Sequence, residues 1–229
     1  MKSSTPDSSF PDSLSSAPSA QNGSGPDPGP VDRLPQSPED PRWHEEIQHL
    51  RELGRFRDVR WCPSPNFGPR PDPADISLLV VHNISLPPGQ FGGGHIEAFF
   101  CNRLDASLHP YFETIAGMTV SAHALIRRDG ELVQFVSFRD RAWHAGRSRF
   151  GEREECNDFS IGIELEGTDD IPYTRAQYQC LARAARLISA AWPEIDDSRM
   201  TGHCDIAPGR KTDPGPAFNW TYFRELMIG

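Results

Sequence analysis

Three side chains that could bind a metal or stabilise charge lie close together near the carboxyl end of the chain. Residues 201–218 read TGHCDIAPGRKTDPGPAF and include His203, Lys211 and Asp213, with nine residues between the histidine and the aspartate. An imidazole and a carboxylate are ordinary zinc ligands, and an ammonium group can stabilise negative charge that develops on an oxygen. Because a catalytic zinc usually has three protein ligands and one open position, this set requires a third ligand from elsewhere.

The strongest candidate for the third ligand is His82, which follows the apolar run in DISLLVVHN. A short β-branched run of this kind predicts a buried strand. Strand alternation places Ile76, Leu78, Val80 and His82 on one face, so the ring emerges where the strand stops. A lone histidine after an apolar strand is also compatible with a purely structural role. The strand by itself leaves both interpretations open.

A second apolar strand carries two carboxylates in FSIGIELEG, residues 159–167. Alternation puts Gly162, Glu164 and Glu166 on one face and three aliphatic side chains on the other. A carboxylate in so apolar a strand is costly unless it is paired or functional, and burial would raise its pKa towards the range of a general base. A sheet with one solvated face explains the same pattern, so this segment alone does not decide whether its carboxylates are functional or simply solvated.

Seven ordered blocks of sequence extend from about residue 59 to the C-terminus. They read RWCPSPNF, LLVVHNISLPPGQFGGG, VSAHALIRRDGELVQFV, RAWHAG, CNDFSIGIELEGTD, PYTRAQYQ and TGHCDIAPGRKTDPGPAF. Together they resemble the zinc-dependent N-acetylmuramoyl-L-alanine amidases, a superfamily that includes phage-type amidase lysozymes and peptidoglycan-recognition proteins. The resemblance is closest to the AmpD type, which acts on 1,6-anhydro-muropeptides in cell-wall recycling. Several long blocks that occur in the same order along the chain are far more specific than any single short motif.

The resemblance implies a role for each residue of the catalytic set. It implies that His82, His203 and Asp213 bind one zinc ion per chain. It also implies that Glu164 is the general base for the attacking water and that Lys211 stabilises the tetrahedral oxyanion. Several relatives have a cysteine as the third ligand, whereas the AmpD type has an aspartate, which favours that branch.

Two further residues are candidates for substrate contacts. By resemblance, His144 in RAWHAG borders the active site, and its small neighbours suit a pocket wall. Asn83 directly follows a proposed ligand and is placed to form a hydrogen bond with substrate. His123, in the middle of VSAHALI, is interpreted as a packed residue or a support for the site rather than as a metal ligand.

Composition narrows the class of protein. The chain has 229 residues and a formal net charge of −9, which argues against binding nucleic acid or anionic membranes through bulk electrostatics. No apolar stretch approaches the length of a membrane span, and MKSSTPDSSF lacks the apolar region of a secretory signal. Five scattered cysteines indicate free thiols in a reducing compartment. We therefore expect a monomeric cytoplasmic enzyme whose partner is its muropeptide substrate.

The chain divides into a tail and one domain. Residues 1–40 contain eight prolines, ten serines and three glycines, with few large apolar side chains. Such a segment cannot bury enough apolar surface to offset its ordering entropy, so we predict a disordered acidic tail. Residues 41–229 form the predicted amidase domain.

The domain has the pattern of a mixed α/β fold. Asp129-Gly130 between two apolar runs predicts a hairpin, and Thr174 with Gln177 predicts a capping box. The glycine-rich PPGQFGGG either borders a substrate groove or leads into a helix. We predict a mixed central β-sheet flanked by helices, which is also the fold of the family. Helices are expected after Pro41, at about 96–103 and 111–116, from Thr174, and near 220–227.

Three functions remain in competition at this level. The first is a zinc amidase that cleaves between anhydro-N-acetylmuramic acid and L-alanine in muropeptides during recycling. The second is a phage-type or secreted amidase that acts on intact peptidoglycan. The third is a non-catalytic module that binds muropeptides. The resemblance favours the first.

Overall fold

A six-stranded mixed sheet lies at the centre of the computed structural model, which describes Gly29 and residues 33–228. The strands in chain order are β1 (Arg60–Trp61), β2 (Phe67–Gly68), β3 (Leu78–Ile84), β4 (Ala124–Ile126), β5 (Leu132–Gln134), β6 (Arg141–Ala142), β7 (Arg149–Phe150), β8 (Arg153–Glu154), β9 (Ser160–Glu166) and β10 (Met200–Gly202). The strand order in the six-stranded sheet is β1-β5-β4-β9-β3-β10.

The sheet is mixed because one pair of neighbours is antiparallel. Strands β4 and β5 run antiparallel, and each of the other four neighbouring pairs is parallel. The β4–β5 connection contains Gly130 with φ of 89°, which confirms the hairpin expected at Asp129-Gly130. Strands β2 with β6, and β7 with β8, form two small antiparallel pairs beside the main sheet.

The two long central strands are the ones expected from their apolar runs. Strands β3 and β9 pair in register over seven residues, and every residue of β9 is buried. Parallel strands covered on both faces are rich in aliphatic residues, as in LLVVHNI and SIGIELE, and the two glutamates of β9 are buried exceptions. The alternative of a sheet with one solvated face is therefore wrong for β9.

Helices cover both faces of the sheet. The helices are α1 (Trp43–Leu53), α2 (His95–Phe100), α3 (Pro110–Ile115), α4 (Arg175–Ala191), α5 (His203–Ile206) and α6 (Trp220–Ile228). On one face, α4 packs with α1 and α6 over a core that includes Leu79, Ile161 and Ile163. On the other, Phe99 and Phe100 of α2 and Phe112 of α3 pack in a second apolar cluster.

The start of α4 is fixed by the expected capping box. The Thr174 hydroxyl accepts from the Gln177 N–H, and the Gln177 side chain accepts from the Thr174 N–H, both at 3.1 Å. The amide nitrogen of Gln177 also donates to the carbonyls of Ile126 and Glu166, at the ends of β4 and β9. This one side chain therefore ties the helix to the edge of the sheet where the strands end.

The predicted tail lies mostly outside the described residues. Of residues 33–40, which the structure describes, Leu34 is 2% exposed and belongs to the main core. Asp40 accepts from the N–H of Arg42 and pairs with its guanidinium. The division at residue 40 and the disorder of the tail remain predictions. Among the described helices, none has the combined length and apolar character that a bilayer crossing requires.

Candidate active site

The candidate residues lie where parallel strands end at one edge of the sheet. His82 lies near the carboxyl end of β3, and its register partner on β9 is Glu164. Because paired residues of neighbouring strands point to the same face, both side chains extend to one side of the sheet. His203 directly follows β10, which pairs with β3. The strand topology thus brings together residues that are far apart in sequence.

Asp213 enters the same place on the loop between α5 and α6. Its carbonyl accepts from the Cys204 N–H at 2.9 Å, which links the loop to the start of α5. The next carbonyl, of Pro214, accepts from the Tyr173 hydroxyl at 2.7 Å and from the Asn83 amide at 3.1 Å. These bonds hold the aspartate in position from both sides.

Two imidazole nitrogens and one carboxylate oxygen form a nearly equilateral triangle. His82 Nδ1 lies 3.0 Å from His203 Nδ1, and Asp213 Oδ2 lies 3.1 Å from the first and 3.0 Å from the second. In a tetrahedral zinc site with bonds of about 2.0–2.1 Å, ligand atoms lie about 3.3–3.4 Å apart. The triangle is therefore close to the size that zinc requires, and a slight expansion would admit the ion.

The electrostatics of His82 and Asp213 agree with this fit. Burial lowers the pKa of His82 to about 4, although its contact with the Asp213 carboxylate acts in the opposite direction. Burial alone would raise the pKa of Asp213, but its contacts with the His203 and His82 rings hold it well below its ordinary value. At neutral pH the site therefore offers a neutral ring and an ionised carboxylate, which are the forms that bind a metal.

Glu164 lies beside the triangle without a hydrogen-bond partner for one of its oxygens. The side chain is buried, and among the described residues no group pairs with its Oε2. Burial raises the pKa of this carboxyl well above its ordinary value, and the charge of Asp213 raises it further, while Lys211 lowers it. A buried carboxyl with a raised pKa beside a metal site has the properties of a general base.

Comparison with known proteins decides the family. The family model described as N-acetylmuramoyl-L-alanine amidase matches residues 72–216. The chain belongs to this family. The 1,6-anhydro-N-acetylmuramyl-L-alanine amidase AmpD of Salmonella typhimurium SL1344 is 60% identical over 178 residues, which are 78% of this chain and 95% of that relative.

Two further comparisons agree with this membership. AmpD of Escherichia coli K12 is 59% identical over 178 residues, which are 78% of this chain and 97% of that relative. A crystal structure of a selenomethionine AmpD derivative has 59% identity and a TM-score of 0.74, and it covers 76% of this chain and 97% of its own. The amidase fold expected from the sequence, with a mixed sheet flanked by helices, is thereby confirmed.

The candidate site of this amidase opens into a cavity of about 580 Å³. Its floor contains the metal triangle and Glu164, and its rim includes Lys211 and Arg210. The walls combine polar residues, Ser121, Thr168 and Asp169 among them, with apolar and aromatic ones, which include Leu86, Phe99, Phe100, Tyr111, Met118 and Trp143. Such a combination suits a ligand with apolar, hydroxylated and acidic parts.

Lys211 lies at the exposed rim, two residues before Asp213. Its N–H donates to the Ala207 carbonyl at 3.0 Å, which fixes the backbone. Its charge acts on the pKa of both His82 and Glu164, so the ammonium group lies within electrostatic reach of the reacting centre. The side chain can therefore approach a carbonyl bound in the cavity.

Asn83 and His144 both line the cavity, but their polar atoms are engaged by the protein. The Asn83 amide donates to Asp169 at 2.8 Å as well as to Pro214. The ring nitrogens of His144 lie 2.9 Å from His82 Nε2 and 3.1 Å from Ser160 Oγ. Direct substrate contacts by these two residues remain a prediction.

Sequence reasoning missed the residues behind the metal triangle. A Cβ atom on Gly162 would lie 2.4 Å from His144 Nδ1, so the glycine is what lets that ring lie against β9. An isolated glycine in an apolar strand marks such a close approach, and this signal was present in SIGIELE. Ser160 carried no comparable signal, because a serine at the start of a strand is ordinary.

Proposed function

We propose that this chain hydrolyses the amide bond between the lactyl group of 1,6-anhydro-N-acetylmuramic acid and L-alanine in muropeptides. In this proposal His82, His203 and Asp213 hold one zinc ion. The observation that carries it is the triangle of two Nδ1 atoms and one carboxylate oxygen, beside a buried Glu164 oxygen that no described residue pairs with. Such a carboxylate reduces the stability of the fold, so we expect it only where catalysis requires it. A binding module would have no use for it.

When bound, zinc would lower the pKa of a water molecule and polarise the scissile carbonyl. Glu164 takes one proton from the attacking water, whose oxygen bonds to the lactyl carbonyl carbon. The carbonyl oxygen becomes negative, and the Lys211 ammonium stabilises that charge. Glu164 then delivers its proton to the departing nitrogen of L-alanine as the C–N bond breaks. The products are a free lactyl carboxylate and a peptide with a free amino terminus.

The anhydro-muropeptide is proposed as substrate because of the relatives named above. The two AmpD proteins are named for that substrate. The resemblance seen in the sequence implies an aspartate as the third ligand of the AmpD type, and this chain has Asp213 there. An amidase of intact peptidoglycan is the alternative. A soluble muropeptide also accords with a monomeric enzyme in the cytoplasm, which we propose as its state and compartment.

The test compares two substrates. Zinc-reconstituted protein is incubated with a purified anhydro-muropeptide and, separately, with intact peptidoglycan, and the products are identified by mass spectrometry. We expect the anhydro-muropeptide to yield free stem peptide at the higher rate. Faster release from intact peptidoglycan would identify a wall-degrading amidase, and binding without any product would identify a non-catalytic module. Glu164→Gln protein serves as the matched control for contaminating hydrolases.

A further inference from the structure

A chain of hydrogen bonds behind the metal triangle has only one possible direction. It ends at the Cys156 carbonyl, which can only accept, and the Ser160 hydroxyl lies 2.5 Å from it. Because Ser160 uses its one proton there, its oxygen accepts from His144 Nε2 at 3.1 Å. The neutral His144 ring then has its lone pair on Nδ1, 2.9 Å from His82 Nε2. His82 must therefore donate from Nε2, which leaves the lone pair on its Nδ1.

The second histidine of the triangle is oriented in the same way. His203 Nε2 lies 3.1 Å from the Ala145 carbonyl, which can only accept. His203 therefore donates from Nε2, and Nδ1 is the ring nitrogen left to face the triangle and bind a metal. Ala145 directly follows His144, so two adjacent residues leave Nδ1 of both histidines for the ion.

This two-residue segment is itself held rigidly. The Asn157 side-chain oxygen accepts from the backbone N–H of His144 at 3.1 Å and of Ala145 at 2.8 Å. The His144 ring lies against Gly162 of β9, where any larger residue would displace it. Ala145 and Asn157 are buried, so water does not compete for these bonds.

We propose that the His144–Ala145 segment is the positioning element of the metal site. It presents Nδ1 of both histidines to the ion, and it makes His144 a positioning residue in addition to any contact with substrate. This inference rests on the proposed zinc site. Groups that hydrogen-bond to metal ligands in this way typically contribute about 10–100-fold to metal affinity.

The test uses two substitutions of similar shape at one position. His144→Asn keeps an acceptor where Nδ1 lies, whereas His144→Leu has none. Zinc affinity is measured by competition with a chromophoric chelator. We expect His144→Leu to bind zinc about 10–100-fold more weakly than wild type and His144→Asn to stay near wild type. Equal affinity in the two variants, whether retained or lost, would overturn the inference.

A second measurement reads the tautomer directly. Nitrogen-15 NMR of the metal-free protein at neutral pH should show His82 protonated on Nε2 in wild type. Ser160→Ala, which keeps the His144 ring but removes its acceptor, should give a mixture of His82 tautomers even if His144→Leu does not fold. An unchanged tautomer in Ser160→Ala would also overturn the inference.

These outcomes are separable from failure of the proposed function. If wild-type protein binds no zinc, the zinc site itself is wrong. If wild-type protein binds zinc and His144→Leu binds it equally well, the zinc site stands and only the positioning role is lost.

Discussion

Replacing Glu164 by glutamine should make the protein more stable and less active at the same time. In the metal-free protein, the buried carboxylate has an oxygen without a partner among the described residues. Leaving a buried polar group unsatisfied costs about 1–3 kcal/mol, and more when the group is charged. Glutamine removes the charge but keeps a neutral polar group in the same place. The substitution removes only the part of this cost that is due to the charge.

We expect that part to be about 1–2 kcal/mol in the free energy of unfolding at neutral pH. For a domain of this size, each kcal/mol shifts Tm by about 2–4 °C, so Tm should rise by about 2–8 °C. In the zinc-loaded enzyme, turnover should fall by at least about a hundredfold, as expected for the loss of a general base.

The gain in stability should depend on pH with a defined sign. The pKa of Glu164 in the folded protein is raised well above its ordinary value of 4.5. Below that ordinary value the carboxyl is protonated in both the folded and the unfolded wild type, so no charge is buried. As pH rises through the folded-state pKa, the wild type loses stability and the variant does not. The difference in Tm should therefore be small near about pH 4 and largest above the folded-state pKa.

The assay is thermal unfolding of chelator-treated wild-type and variant protein across this pH range, with turnover measured after zinc is restored. Glu166→Gln is the matched control two residues along the same strand. The Glu166 carboxylate accepts from the backbone N–H groups of Gly92 at 2.7 Å and Arg128 at 3.1 Å. Its replacement should lower Tm and leave turnover nearly unchanged. Lower stability of Glu164→Gln at neutral pH, or equal losses of turnover in the two variants, would refute the reasoning.

Three more predictions concern the metal, the oxyanion and the loop. Wild-type protein should hold about one zinc per chain by elemental analysis, and alanine at His82, His203 or Asp213 should remove most of it; full occupancy in all three variants would contradict the ligand assignment. Lys211→Met should lower kcat by about a hundredfold with zinc content and KM nearly unchanged, and a zinc-loaded variant with normal kcat would exclude an oxyanion role. Gly215 has φ of 78°, and a Cβ there would lie 2.3 Å from the Cα of Asp169. Gly215→Ala should therefore lower Tm and zinc affinity together, and an unchanged Tm would show that the loop adapts.

The parts of this site that sequence could predict have local signals. The apolar run of β3 locates His82 near a strand end, although the strand continues for two more residues to Ile84. The alternation in β9 separates Glu164 from its aliphatic neighbours. Long blocks of family-like sequence indicate the fold around them. The Thr174 capping box has a fixed spacing and was found where it was expected.

The remaining parts depend on contacts between distant segments. The direction of the bonds from Cys156 through Ser160 and His144 to His82 follows only once three separate segments are placed together. The two-residue strands are too short to show an alternation of apolar and polar residues, so the sequence does not predict them. Leu34 packs into the core, although it belongs to a segment whose composition predicts disorder. Composition could not reveal this contact, because a single apolar residue hardly changes the average hydrophobicity of the segment.

The most direct test of the account identifies the bond that is cleaved. Zinc-loaded protein is incubated with an anhydro-muropeptide in water enriched in heavy oxygen, and both products are analysed by mass spectrometry. The account predicts that the label enters the lactyl carboxylate of the anhydro-muramic acid, while the released peptide has an unlabelled, free L-alanine amino terminus. Label in the peptide, cleavage at another bond, or no cleavage by zinc-loaded protein would contradict it.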